Sequence, residues 1–355
     1  MMMQRTTLST LTLLFLGLAI GGSAPGLSSS GDGDESWKAE STTYQLKHSA
    51  HKKWGFVLPA ERWHDAGKSI ELPGGLVFDT KIDGVNKLMV DSNGDGRPNA
   101  TVRGSGFITL GAKDETGESV RYSVRVKNTA AGKFEWTTGS SMRGMVAGTI
   151  LHVFDQDGNG KYSDWGVDAV AVGNSKSASL LSKVILVGKD LYHFDVTEDG
   201  SQVTVAPFSG ETGILNAVVD YEAKGILTSA VFQSGDISFC VAPFKKGVAV
   251  PVGTYKFVSG RVEKGSASVS MRGGKMPTLQ VYAGEETVPE WGANVNGDFS
   301  FSQKDEDVTV KANFKFFGAA GEEYYDFQPA GKGPKIIISD AKRGREIKEA
   351  RFPES

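Results

Sequence analysis

Runs of strictly alternating apolar and polar residues recur along this chain. Val120, Tyr122, Val124 and Val126 alternate with Arg121, Ser123, Arg125 and Lys127. Val308, Val310, Ala312, Phe314 and Phe316 alternate with Thr309, Lys311, Asn313 and Lys315, and Ile237, Phe239 and Val241 do the same around Ser238 and Cys240. Successive side chains of a strand point to opposite faces, so a period of two marks a strand with one face buried and one wet. Turn chemistry separates such runs at Gly188-Lys189-Asp190, Glu198-Asp199-Gly200, Ser234-Gly235-Asp236 and Gly273-Gly274. Glycine supplies 45 of the 355 residues, which suits a fold with many tight turns. Short helices are expected only at 177–182 and 341–347. The pattern predicts an all-β protein of two or three antiparallel sandwich- or barrel-like units with very little helix.

The N-terminus reads as an export signal. Arg5 precedes the apolar run LSTLTLLFLGLAI at 8–20, and small residues follow up to Gly26. That run is short for a membrane span but suits a cleaved signal peptide over 1–26, cut after Ala24 or Gly26. A polar linker, LSSSGDGDES, occupies 27–36. Beyond it the expected units are a β unit at 37–128, a second at 129–210 and a C-terminal β-sandwich at 211–355. The run Pro251-Val252-Gly253-Thr254-Tyr255 at its start resembles the entry of many exported immunoglobulin-like or transthyretin-like modules. The expected location is secreted, periplasmic or at the cell surface, with no membrane insertion after cleavage. Losing Arg5 with the signal takes the formal charge from −3 to −4. That balance argues against nucleic acid as a partner. Cys240 is the only cysteine, so no intrachain disulfide can staple an exported form.

Two loops carry recognisable chemistry. The stronger begins at Asp155 and runs through Asp157, Asn159, Gly160, Lys161 and Asp164 to Asp168. Oxygen-bearing side chains fall at loop positions one, three and five, and a glycine follows for the sharp bend. Calcium takes six to eight hard oxygen ligands, and a loop with this spacing can wrap one. The expected ligands are Asp155, Asp157, Asn159 and the Lys161 carbonyl, completed by Asp164 or Asp168. The second loop follows the same plan with Asp91, Asn93, Asp95, the Arg97 carbonyl and Asn99. Neither is a complete EF-hand, because Val102 and Gly166 stand where that motif supplies a bidentate glutamate. The flanks read as strands, so strand–loop–strand sites are expected. Both loops also fit plain β-turns rich in Asp, Asn and Gly.

The 91–99 loop resembles the D-x-N-G-D-G-x-x-D repeat of integrin-like propeller blades, with Asn99 in place of the last aspartate. The 157–168 run, followed by Leu181-Ser182-Lys183-Val184 and the turn Gly210-Glu211-Thr212-Gly213, resembles a group of uncharacterised exported proteins of planctomycete-type bacteria. That resemblance implies compartment and lineage and carries no activity.

Other constellations are weaker. His48, His51 and His64 lie in one stretch without a recognised zinc spacing. Gly139-Ser140-Ser141-Met142 is not a nucleophile elbow, and no histidine is paired with it by spacing. Glu322 and Glu323 are adjacent on a strand, which turns them to opposite faces. Cys240 reads as a buried thiol. The expected function is a calcium-stabilised, exported β-sandwich protein with a structural or binding role. Its partners would be calcium and a cell-surface polysaccharide or another exported protein. The alternatives are a carbohydrate-binding module using Trp54, Trp63 and Trp291, and an enzyme with a dispersed site.

Overall fold

The computed structural model describes residues 36–352 apart from 73, 74, 114–116, 306, 312 and 341. The expected signal at 1–26 and the 27–35 part of the linker lie outside the described residues. Strands and turns make up nearly everything else; the sole helical element among the described residues is the 3-10 turn Ser36–Glu40. None of the described helices is long and apolar enough to cross a membrane. The protein is therefore all-β, built from several antiparallel sheets, with no closed barrel among the described residues.

Neither helix expected from sequence forms among the described residues. Ser177 forms a bridge with Val57, and Ser179–Leu180 is a strand paired with Ala169–Val172. Ala178, Leu180 and Leu181 are all buried there, and sheet pairing prevails over local propensity. The second segment, whose Ala341 lies outside the described residues, turns and then forms the strand Glu346–Arg351 against Lys335–Ser339. The long alternating run near 308–316 also divides. Asp307–Val310 pairs with Phe301–Lys304, whereas Lys315–Phe317 joins a different sheet. The other two alternating runs form Ser119–Ala130 and Ile237–Cys240, and the four expected turns lie between or beside strands.

One core gathers buried side chains from Leu46 to Val205, including Phe78, Leu110, Phe134, Trp136, Leu151 and Phe194. The strand Ser119–Ala130 runs through the expected 128/129 boundary and shares that core with chain on both sides of it. A second core extends from Val184 to Tyr324 around Trp291, Tyr255 and Phe232. The run Val184–Val187 belongs to both. Ile185 and Val187 enter the first core while Val184 enters the second. A continuous apolar run is what a strand needs when both its faces are covered. Tyr255 donates its hydroxyl to the Pro251 carbonyl at 2.9 Å, tying the start of the strand Gly253–Lys264 to the end of Val248–Pro251.

A five-stranded sheet positions the acidic loop. Its strand order is Ser179–Leu180, Ala169–Val172, Thr149–Phe154, Ser140–Val146 and Lys47–Ala50. Phe154 pairs with Ala169 at the base of the loop, and both enter a small third cluster with Ala171 and Ala178. Leu151, Val153 and Val170 face the first core instead.

Candidate functional site

The pairing of Phe154 with Ala169 dictates where the first carboxylates go. Asp155 and Asp168 are the next residues outward on the two strands, so they lie across from each other at the mouth of the loop. Alternation then turns both toward the side of Val153 and Val170, the first core. Both are fully buried. Asp157 joins them after Gly158 and Gly160 bend the loop, each with φ above 70°. One oxygen from each of Asp155, Asp157 and Asp168 lies within 4.8 Å of the others. Two ligands on opposite sides of one calcium ion, each about 2.4 Å away, are separated by about 4.8 Å. The three carboxylates are thus spaced to share a single centre.

Each carboxylate is positioned differently. Asp155 Oδ1 accepts the amides of Gly158 and Asn159 at 2.8 and 3.1 Å. Its Oδ2 accepts the Gly160 amide at 2.6 Å and the Tyr122 hydroxyl at 2.9 Å. Asp168 Oδ2 accepts the Asp164 amide at 3.0 Å, while its Oδ1 is buried with no hydrogen-bond partner. Asp157 Oδ1 is likewise buried and unpartnered. Its Oδ2 has Arg62 at 3.8 Å, on a largely exposed side chain. Burial raises the Asp168 carboxyl to about 9, with the negative charge of Asp155 adding to the effect. Burial raises Asp155 as well, against the hydrogen bonds it accepts from Tyr122 and Gly160. Two like charges 4.8 Å apart repel by about 3.5 kcal/mol at an effective dielectric of about 20. A bound divalent cation would reverse that energy.

The surrounding chain holds the loop at several points. His64 Nε2 meets the Asp157 carbonyl, and its ring stacks on Trp136 at 4.8 Å. Gln156, buried between the first two aspartates, accepts the Ala60 amide and donates to the Val167 carbonyl. Asn159 donates its side-chain amide to Asp157 and Asp164, and its Oδ1 accepts the Lys161 amide. Lys161 turns its ammonium outward to Glu198 at 2.8 Å. Asp164 is half-buried one helical turn before Asp168. Trp165 lies under the Lys183 ammonium at 3.5 Å and meets Phe194 edge-on.

The 91–99 loop repeats the first half of this plan. Asp91 accepts the amides of Gly94, Asp95 and Gly96, the counterparts of Gly158, Asn159 and Gly160. It diverges at its base. Val90 pairs with Ala100, so Asn99 occupies the place of Asp168, and its Oδ1 accepts both the amide and the hydroxyl of Ser92 at 2.8 Å. Asp95 is exposed and accepts from Asn93 and from the Arg97 amide. Asp91, Asn93, Asp95, Arg97 and Asn99 thus form a hydrogen-bonded turn, and among the described residues no group of three carboxylates converges there.

Spacing alone misses several contacts. Ser141, which no sequence pattern paired with a histidine, lies between His51 Nε2 and His152 Nδ1 at 2.9 Å each. Ser141 is fully buried, and the aromatic rings of Phe56 and Phe154 pack beside the two histidines. Burial lowers His152 to about 4 and lowers His51 too. Trp291 is 2% exposed and donates to the Ala217 carbonyl. Arg125 lies over Trp54 at 3.8 Å and near Trp63 at 5.3 Å, so these three tryptophans offer no common open plane. Glu322 and Glu323 are both buried, and Glu323 pairs with Arg272 and Lys315.

No protein-family model, no curated protein and no solved structure matches this chain.

Proposed function

We propose that this chain is an exported calcium-binding β protein in which an ion in the 155–168 loop fixes the junction of the Thr149–Phe154 and Ala169–Val172 strands. The observation that carries the reading is Asp168 Oδ1, a buried carboxylate oxygen with no partner in a group of three converging carboxylates. Leaving such an oxygen unsatisfied costs on the order of 1–3 kcal/mol or more, and a cation removes the cost. Asp155, Asp157 and Asp168 would supply the charged ligands, and the Lys161 carbonyl, Asn159 and Asp164 of the same loop would complete the shell. All are hard oxygen donors, which favours calcium over a softer metal. His64, the histidine beside the loop, is already engaged with a backbone carbonyl. The 91–99 loop is the weaker candidate, since an ion there would have to break the bonds between Asn99 and Ser92.

The role is structural. With one cysteine in the chain, metal takes the part that disulfides play in many exported proteins. Export rests on the residues of 1–26, and recovery of a mature chain starting at Pro25 or Leu27 would support it. The metal test is thermal unfolding followed by tryptophan fluorescence, in chelator and across a calcium series. Binding to the native state raises the midpoint as calcium rises, and Asp157→Ala abolishes the rise. A flat midpoint in metal-free protein removes the reading.

A further inference from the structure

We infer that the C-terminal half carries a second binding site, for a small apolar molecule that presents one hydroxyl or amine hydrogen-bond donor. A cleft of about 840 Å³ opens beside the second core, within the size range of small-molecule pockets. Val262, Val269, Val295 and Phe327 give it apolar walls, and Tyr221 and Tyr324 line it as well. Val295 and Phe327 are 47% and 38% exposed, so apolar surface continues to its rim.

The tyrosine end of the cleft has a fixed hydrogen-bond direction. Behind the tyrosines lies Glu322, fully buried. Its carboxylate accepts the Gly292 amide at 2.8 Å, the Ala320 amide at 3.1 Å and the Tyr324 hydroxyl at 3.2 Å. A tyrosine hydroxyl has one proton to donate. That of Tyr324 is committed to Glu322, so in the 3.1 Å contact between the two hydroxyls Tyr221 is the donor. The Met271 sulfur, 3.4 Å from the Tyr221 hydroxyl, is a far weaker acceptor. The Tyr221 oxygen is left with lone pairs and no proton to give. The chain then runs from a donor on the ligand to Tyr221, to Tyr324, to Glu322. At Tyr221 a ligand that offers only a carbonyl or carboxylate would meet lone pairs; the N–H donors that line the cleft belong to other side chains, Lys224, Lys264, Asn294 and Gln328.

The backbone places Tyr221 for this task. Tyr221–Glu222 pairs in parallel with Trp291–Gly292, and Tyr221 packs edge-on against Trp291 at 4.6 Å. Gly292 has φ of 92°, and a Cβ there would lie 2.3 Å from the Glu222 carbonyl oxygen. Only glycine lets the two strands approach this closely. The same residue contributes an amide to Glu322, so one close approach builds both ends of the chain.

The test uses two probes of nearly equal size, 2-naphthol and 2-methoxynaphthalene, titrated into the full chain and followed by probe fluorescence. The first can donate a hydrogen bond and the second cannot. 2-Naphthol is expected to saturate with a Kd about tenfold lower, the worth of one good hydrogen bond. Tyr221→Phe brings the two Kd values within about twofold while the methoxy probe still binds. Ala267→Trp, at an exposed position in the cleft wall, abolishes saturable binding of both. Absence of saturable binding, equal Kd values in the unaltered protein, a tenfold preference that survives Tyr221→Phe, or binding that survives Ala267→Trp each overturns the inference.

Discussion

Replacing Asp168 with asparagine separates a metal site from an acidic turn by the sign of its effect. Asp168 is fully buried with one unpartnered oxygen, in a cluster whose ligand atoms lie within 4.8 Å of one another. Asparagine keeps the size of the side chain and an oxygen to accept the Asp164 amide. It removes the ionisable group and adds N–H donors that can reach the neighbouring carboxylates. In chelator the variant should therefore be more stable than the unaltered protein. At neutral pH Asp168, raised to about 9, holds a proton that the unfolded chain gives up near 3.9, and relief of that cost, about 1.4 kcal/mol per pH unit, sets the scale at about 2–4 kcal/mol. In calcium the gap narrows. For a Kd of about 10⁻⁴–10⁻³ M, 10 mM calcium stabilises the unaltered protein by roughly 1.4–2.7 kcal/mol. At about 2 °C per kcal/mol, that is a midpoint rise of about 3–5 °C. Asp168→Asn should lose most of it. The assay is calorimetry or fluorescence-detected melting of both proteins at neutral pH, in chelator and in 10 mM calcium. A variant less stable than the unaltered protein in chelator, or one with an undiminished calcium response, would refute the reasoning.

Two further outcomes test the surroundings of the loop. Tyr122→Phe removes the hydroxyl that Asp155 Oδ2 accepts inside the core. Urea unfolding should show a loss of about 1.5–3 kcal/mol, the range for a bond to a charged group, together with weaker calcium stabilisation; an unchanged transition midpoint would dismiss the contact. His152, buried and lowered to about 4, predicts an acid-sensitive term. As pH falls the unfolded chain takes up the proton first, near 6.5, and the native state only near 4. The stability present above 6.5 is lost across that window, up to about 3 kcal/mol. His152→Gln should flatten the dependence of the urea midpoint on pH between 6.5 and 4, and parallel curves for the two proteins would contradict this.

Much of the fold was legible in side-chain order. Alternation along Ser119–Ala130 and Ile237–Cys240 reports the two faces of a strand directly, because backbone geometry alone imposes it. It failed near 308–316, where one alternating run serves two different sheets, since alternation does not encode which neighbour a strand will find. The helices expected at 177–182 and 341–347 failed for the same reason, as pairing partners far along the chain took the backbone hydrogen bonds.

The two loops divide along the same line. Residue order specifies their common first half, because an aspartate followed by Gly, Asp or Asn, and Gly can gather three consecutive amides within five residues. Whether carboxylates then converge depends on what lies at the base. Strand pairing puts Asp168 opposite Asp155 in one loop and Asn99 opposite Asp91 in the other. Burial beneath the first core makes the difference count, since a charge left unpaired in water costs little and one enclosed by protein costs several kcal/mol. Tyr122 and His64 reach the acidic loop from 33 and 93 residues away. Contacts across such separations leave no mark in local spacing; they exist only once the sheets have packed.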